Sequence, residues 1–343
     1  MPLAALAWGG AGAGVFCASA LACAVGATGR SFLFSDFLPY PAMPHEFWPS
    51  HPQRRQWLRG LGAVPLLAWS ATRAAPAAAP AQAVAAQRLV ALGGALTEVV
   101  YALGAEGQLV GTDTTSLYPD AALKTPKVGY MRQLSAEGLL SLRPDAVVGT
   151  HEAGPQVVLD QIRSAGVRVE LVQADHSWAE VQRKLQVVGR LTGRTVQAQA
   201  LQATLDAQWA QVQQQVARTA QRPRALFILA HGGAPMVAGA GTAADAVIRF
   251  AGGINVAAGF QGYRPLTAEA MASAAPQVLL NSSQGMEALG GEGAFWQRPE
   301  LALTPAFQRR ALVAMEANHL LGFGPRLPQA VRELHTRMLA LLA

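Results

Sequence analysis

A tyrosine followed two residues later by an arginine is the pairing in this sequence best suited to chemistry: Tyr130 and Arg132, in the stretch GYMRQLSAEG that begins at Gly129. A phenolate is a hard anionic oxygen donor that suits a ferric ion, but a free tyrosine titrates near 10 and stays protonated at neutral pH. A metal and a neighbouring cation must lower it. Arg132 is placed to be that cation, or to grip a carboxylate with its planar fork. Gly129 in front allows the backbone to approach a flat ligand closely. The plain alternative is a loop tyrosine packed on its own lobe. The phrase returns as GYRPLTAEA from Gly262, with Tyr263 and Arg264 as counterparts. Pro265 distinguishes this copy and its loop is one residue shorter, so equal geometry does not follow. Contacts at a cleft rim, to carboxylates of a ligand, suit Tyr263 and Arg264 better than metal ligation. Glu137 and Glu269 close the two phrases, each early in a helix capped by Ser135 or Thr267, where the helix dipole favours a carboxylate.

His231 ends the run RALFILAH ahead of a Gly–Gly turn. A side chain at the carboxyl end of a parallel strand faces the crevice where such sheets bind ligands. A surface or packing histidine is the competing reading. His151, in GTHEAG, follows another strand and can reach the same crevice. His176, His319 and His335 read as structural, His335 on a helix face. Met131 and Met286 either cover an apolar ring or fill gaps in a core.

The elements that must position these residues follow from composition and pattern. The 343 residues are 51% hydrophobic and 14% charged, enough for two ordinary folded domains. Arg30, Arg54, Arg55, Arg59 and Arg73 against Asp36 and Glu46 supply half of the net charge of +6. The remainder is too mild for a nucleic-acid surface, and no basic stripe with interleaved aromatics is present. Both cysteines, Cys17 and Cys23, precede residue 86, which excludes disulfides, zinc–thiolate sites and a cysteine nucleophile from the body.

Residues 1–86 read as a leader with a Pro/Ala linker. From Met43, a plausible true start, the chain runs HPQRRQWLRG, then LGAVPLLAWSA, then a small-residue stretch, which is the grammar of a cleaved export signal. Arg54-Arg55-Gln-Trp-Leu resembles a twin-arginine address. A membrane helix over the uncharged residues 1–29 is less favoured, because Ala and Gly are poor lipid-facing residues. Cys23 in ALAC is a weak lipobox-like match. The expected compartment is the periplasm.

From residue 88, strands and helices alternate: RLVALG, LTEVVYALGA, QLVGTD, LSAEGLLSL, PDAVVGT, GPQVVLDQIRSAG, VRVELV. Such alternation with short links predicts a parallel sheet covered on both faces. Asp175 or Ser177 caps a helical region that reaches about Gln221, interrupted at LTGRT. Its second part, about 25 residues without Gly or Pro, would span roughly 38 Å and suits a rigid spine between lobes better than an inserted hairpin. The pattern resumes with RALFILAH, TAADAVIRFAGG, LTAEAMASA, QVLLNSS and ALVAMEAN, and ends in a C-terminal amphipathic helix; NSSQGMEALGG reads as a loop. The expected architecture is two α/β lobes with mainly parallel sheets, an N-terminal lobe over 87–175, connecting helices over 176–222 and a C-terminal lobe over 223–343, with a ligand cleft between the lobes.

The segments RLVALGGALTEVVYALG, GTDTTSLYPDAALKTPKVGYMRQLSAEGLLSLRPD, PMVAGAGTAADAVIRFAGG and GYRPLTAEAMASAAPQVLL together resemble periplasmic haem-binding proteins of bacterial ABC haem importers. These belong to the helix-spined class that also includes cobalamin and siderophore binders, and the resemblance covers residues 88–342. It implies haem b (hemin) as transported ligand, no catalytic cofactor, and partners in an ABC permease with its ATPase and an outer-membrane haem uptake system upstream. It further implies Tyr130 as axial iron ligand, His231 as candidate second ligand, and Arg132, Tyr263, Arg264 and Gln284 at the propionates or cleft. Glu137 and Glu269 would form salt bridges to permease arginines, one per lobe. Relatives place an arginine near Gln284 to support the tyrosine, and this chain departs there. A siderophore or cobalamin binder is the alternative within the class. An exported α/β enzyme is disfavoured: no G-x-S-x-G elbow, G-x-G-x-x-G fingerprint, P-loop or HExxH motif occurs.

Overall fold

The computed structural model describes residues 85–230 and 234–343. Met43, the twin-arginine-like segment, both cysteines and His231 lie outside the described residues. Among the described residues no helix is long and apolar enough to cross a membrane.

The first lobe carries β1 (Leu89–Ala91), α1 (Gly94–Ala102), β2 (Leu109–Thr112), α2 (Ala136–Ser141), β3 (Ala146–Thr150), α3 (Gln156–Ser164) and β4 (Arg168–Val172). Its strands form a fully parallel sheet in the order β2-β1-β3-β4. The buried run Ala146–Thr150 suits a central strand covered on both faces. One face packs on α2 and α3 through Leu139, Leu159 and Ile162, and the other on α1 through Leu96, Val99 and Val100.

Two helices then connect the lobes: α4 (Trp178–Thr192) and α5 (Thr195–Arg218). Ser177 caps α4 by accepting from the Glu180 N–H, and Glu180 reaches back to the N–H groups of Asp175 and His176, a variant of the capping box. Gly193, at φ 70°, ends the helix in the left-handed conformation that glycine adopts without penalty. The long helix therefore turns back on α4, with Trp178 stacked on Trp209 at 4.9 Å. The spine is an antiparallel pair whose α4 meets the first lobe and whose α5 meets the second. Leu185, Val188 and Val212 are fully buried there, each worth about 1.5–3 kcal/mol of apolar burial.

The second lobe holds β5 (Arg224–Leu229), β6 (Met236–Ala238), α6 (Ala243–Phe250), β7 (Ile254–Asn255), β8 (Tyr263–Pro265), α7 (Ala268–Ala274), β9 (Val278–Ser282), α8 (Ser283–Ala288), α9 (Gly291–Trp296), α10 (Pro305–Arg309), β10 (Leu312–Met315), α11 (Ala317–Leu321) and α12 (Leu327–Ala340). The strand order is β10-β9-β5-β6-β8, with β7 also beside β5. The pairings among β5, β7, β9 and β10 are parallel, whereas β6 and β8 are antiparallel additions. Two sequence expectations change here. The GYR segment of the second phrase is a short strand rather than a loop, because it finds Val237 and Ala238 as ladder partners. The stretch after β9 is helical, because Ser282 accepts from the Gly285 N–H and starts α8.

Candidate functional site

Tyr130 stands in the loop between β2 and α2, preceded by Gly129 at φ 93°, a backbone that other residues adopt only with strain. Its ring packs on the apolar cluster of the first lobe, as the plain packing alternative expects. Its hydroxyl is nevertheless engaged: Arg132 Nη1 donates to it at 2.8 Å. The same guanidinium donates through Nη2 to Glu152 Oε2 at 2.7 Å. Burial works to lower the Arg132 guanidinium, but Glu152 and the Tyr130 oxygen outweigh it and hold it above its ordinary value.

The backbone explains why these three residues meet. The Gly154 N–H donates to Met131 O and the Leu134 N–H to Gly154 O, both at 2.9 Å, which ties the loop after β3 to the tyrosine loop. Both loops leave the carboxyl ends of parallel strands, the position expected for a ligand crevice.

Tyr130, Met131, Arg132 and Glu152 line a cavity of about 200 Å³ with Thr150, His176, the amino end of α1 and, from the second lobe, Asn318 and Leu321. The Thr150 hydroxyl is buried without a hydrogen-bond partner among the described residues. At the floor, Lys184 and Glu180 form a buried ion pair at 2.6 Å. Lys184 also donates to the carbonyls of Gly322 at 3.0 Å and Phe323 at 3.1 Å, joining the spine to the second lobe. Burial lowers the Lys184 amine and Glu180 opposes that effect. Two further links cross beside it: Asn318 Nδ2 donates to Thr115 O, and Arg326 clasps Glu98 at 2.9 and 2.5 Å while lying over the Tyr118 ring. Among the described residues no group of three or more His, Cys, Asp or Glu is placed to chelate a metal.

The other sequence candidates separate. Tyr263 lies within electrostatic reach of Arg132 and Glu152, although two-fifths of its surface is exposed. Burial around its titrating end raises the phenol, with Arg132 lowering and Glu152 raising it further. Arg264, the next residue of β8, stacks over the Phe260 ring at 4.5 Å; neighbouring strand residues face opposite sides. Gln284 points its amide oxygen at the Ala317 N–H and does not line the cavity. Met286 is buried in the second lobe's core. His335 is buried between Ala251 O and the Thr219 hydroxyl, and His319 meets Glu333 at 3.3 Å. His151 accepts from the Ala174 N–H and lies off the cavity. His176, read as structural, instead joins the cavity wall with its ring 5.3 Å from that of Phe323. Glu137 and Glu269 are exposed, capped as expected by Ser135 and Thr267, and neither has an ion-pair partner among the described residues.

Sequence reasoning missed Glu152, Thr150, Lys184 and Asn318. For Glu152 a signal was available. Aligning PDAVVGTHE with PQVLLNSSQ sets Glu152 opposite Gln284, the position already suspected of supporting the tyrosine.

A model of periplasmic binding proteins matches residues 89–318. Among solved structures, the haem-binding protein BhuT in complex with two haems is 45% identical, covering 76% of this chain and 100% of that one, with a TM-score of 0.72. The haem-binding protein RhuT from Roseiflexus sp. RS-1, in apo form, is 37% identical over 75% of this chain and 99% of its own, also with a TM-score of 0.72. A cobalamin-binding protein of Halobacterium salinarum is 28% identical over 72% of this chain and 68% of its own length. An uncharacterised ABC transporter substrate-binding lipoprotein of Bacillus subtilis is 25% identical over 72% and 78%.

Proposed function

This chain belongs to the periplasmic binding protein family, and from that premise we propose that it captures haem through a Tyr130–iron bond and delivers it to an ABC permease. The observation that carries the proposal is the Tyr130 hydroxyl held at 2.8 Å by Arg132 on the wall of the cleft. The guanidinium occupies one lone pair of that oxygen as a donor and leaves the oxygen able to bind a ferric ion. The two haem-binding proteins that match over three-quarters of the chain support haem as the cargo.

In this reading Tyr130 supplies the axial oxygen and Met131 covers part of the macrocycle. Arg132 steadies the phenolate, Thr150 is a spare donor for a ligand carboxylate, and His231 is the candidate for the opposite axial position. Tyr263 closes the cleft rim and stays protonated, since burial raises its phenol. Glu137 and Glu269 dock the two lobes on the permease. The chain acts outside the cytoplasm, reached through its twin-arginine-like leader and fed by an outer-membrane uptake system. Nothing in this sequence of steps makes or breaks a covalent bond in the cargo.

A second reading, a cobalamin carrier, is favoured by the Halobacterium relative. An absorption titration of the full chain with haemin and, separately, with cobalamin tests the two. Haem capture predicts a saturable Soret shift and a phenolate-to-iron charge-transfer band with haemin only. Saturable binding of cobalamin without either haemin signal would overturn it.

A further inference from the structure

We infer that Glu152 is a positioning residue that keeps the Arg132 guanidinium on the Tyr130 oxygen and so governs how long haem stays bound. The inference rests on the haem reading above. Arg132 is a long side chain, half exposed, and one hydrogen bond to a phenol is a weak tether for it. Holding an arginine in one rotamer costs side-chain entropy, so a lone contact at this exposure would be lost to water much of the time. The Glu152 carboxylate supplies the second anchor. Because the guanidinium is planar, fixing Nη2 on Glu152 at 2.7 Å fixes the direction in which Nη1 points, which is at Tyr130.

Glu152 is itself held in place. The Ala153 N–H donates to Thr150 O, and the next residue, Gly154, exchanges backbone hydrogen bonds with Met131 and Leu134. The carboxylate therefore moves with the tyrosine loop. Its charge matters as well as its position. With Glu152 alongside, Arg132 offers a directed N–H to the phenolate without placing an uncompensated positive charge beside a ferric centre. Outer partners of a metal ligand commonly change affinity by about 10–100-fold when removed, and Glu152 has the geometry of such a partner at one remove. The second lobe's counterparts are arranged differently: Gln284 bonds to the Ala317 backbone and Arg264 lies over Phe260.

The test uses the full chain loaded with haemin, comparing wild type with Glu152→Gln, Arg132→Ala, the double variant and Tyr130→Phe. Haem transfer to excess apomyoglobin gives the off-rate, and the charge-transfer band reports the phenolate. Glu152→Gln keeps the shape and removes the charge, on a loop exposed enough that folding is not at stake. The expected result is haem loss about 10-fold faster, with a shifted band. In the double variant haem should leave no faster than in Arg132→Ala alone, because Glu152 acts through Arg132. An unchanged off-rate and band in Glu152→Gln would overturn the inference. So would an effect that adds in full to that of Arg132→Ala. In both cases loss of the band in Tyr130→Phe would leave the haem reading standing, whereas a band retained in Tyr130→Phe would remove both.

Discussion

The two Gly-Tyr phrases have almost the same letters and different surroundings. In the first lobe the phrase is a loop at the carboxyl edge of a parallel sheet, stitched to the next loop by backbone bonds, with Arg132 clamped between Tyr130 and Glu152. In the second lobe it is a strand, β8, paired with β6, so Tyr263 and Arg264 are sent to opposite faces. The glutamates behave oppositely to the tyrosines. Glu137 and Glu269 occupy the same place in the same kind of capped helix and both stay exposed. A repeated helix start keeps its geometry because the cap is local, with Ser or Thr accepting from an N–H three residues on. A repeated loop keeps its geometry only where its neighbours are repeated too.

The most damaging way to probe this comparison is to loosen what joins the two copies. Lys184→Ala leaves the Glu180 carboxylate buried and frees two carbonyls of the second lobe, and should cost about 3–5 kcal/mol in urea unfolding. The wild type should also carry a pH signature that this variant lacks. Burial holds the Lys184 amine below its ordinary value, so the unfolded chain binds more protons in the window between the folded value and about 10.4. That part of the stability is complete above the window and is lost as pH falls through the folded value. Unfolding midpoints that move identically with pH in the two proteins would refute the assignment.

Next in size is the contrast between the tyrosines. Tyr130→Ala should weaken haemin binding by about 100-fold, roughly 2.7 kcal/mol, and abolish the charge-transfer band. Tyr263→Phe and Arg264→Ala should each stay within about 2-fold, on the reading that a rim contact and a surface cation–π pair contribute little. A larger loss from Tyr263→Phe than from Tyr130→Ala would reverse the roles of the two lobes. The smallest effect on affinity belongs to the glutamates. If they dock on the permease as proposed, Glu137→Ala and Glu269→Ala should leave haemin binding unchanged and should each reduce uptake by reconstituted permease to a similar degree, since losing either end of a two-point dock loses the avidity of both. Unequal losses would show that the copies are not equivalent at this end either.

Much of the fold was legible because it is written in short-range pattern. The buried run Ala146–Thr150, the caps at Ser135, Ser177 and Thr267, and the uninterrupted helix after Thr195 are each set by residues within a turn or two. Half of the candidate site was legible for the same reason: Tyr130 and Arg132 are two residues apart, and their bond follows from that spacing. Glu152 was legible only by setting the two lobes side by side, because it is brought to Arg132 from 20 residues away by a parallel crossover and two backbone bonds that no local pattern announces. The long helix was read correctly in extent, but its return along α4 depended on Gly193 and on Trp178 meeting Trp209.

The sequence by itself determined the alternation of strands and helices, the duplicated helix starts with their exposed glutamates, and the presence of a tyrosine beside a cation. Only the tertiary structure decided which tyrosine accepts a hydrogen bond from its arginine, that Arg264 turns away to Phe260, that His176 joins the cavity wall, and that a buried Lys184–Glu180 pair fastens the floor of the cleft. The physical reason is range. Caps, periodicity and spacing act over a few residues, whereas the direction of a guanidinium is set by whichever carboxylate or ring the fold brings alongside it.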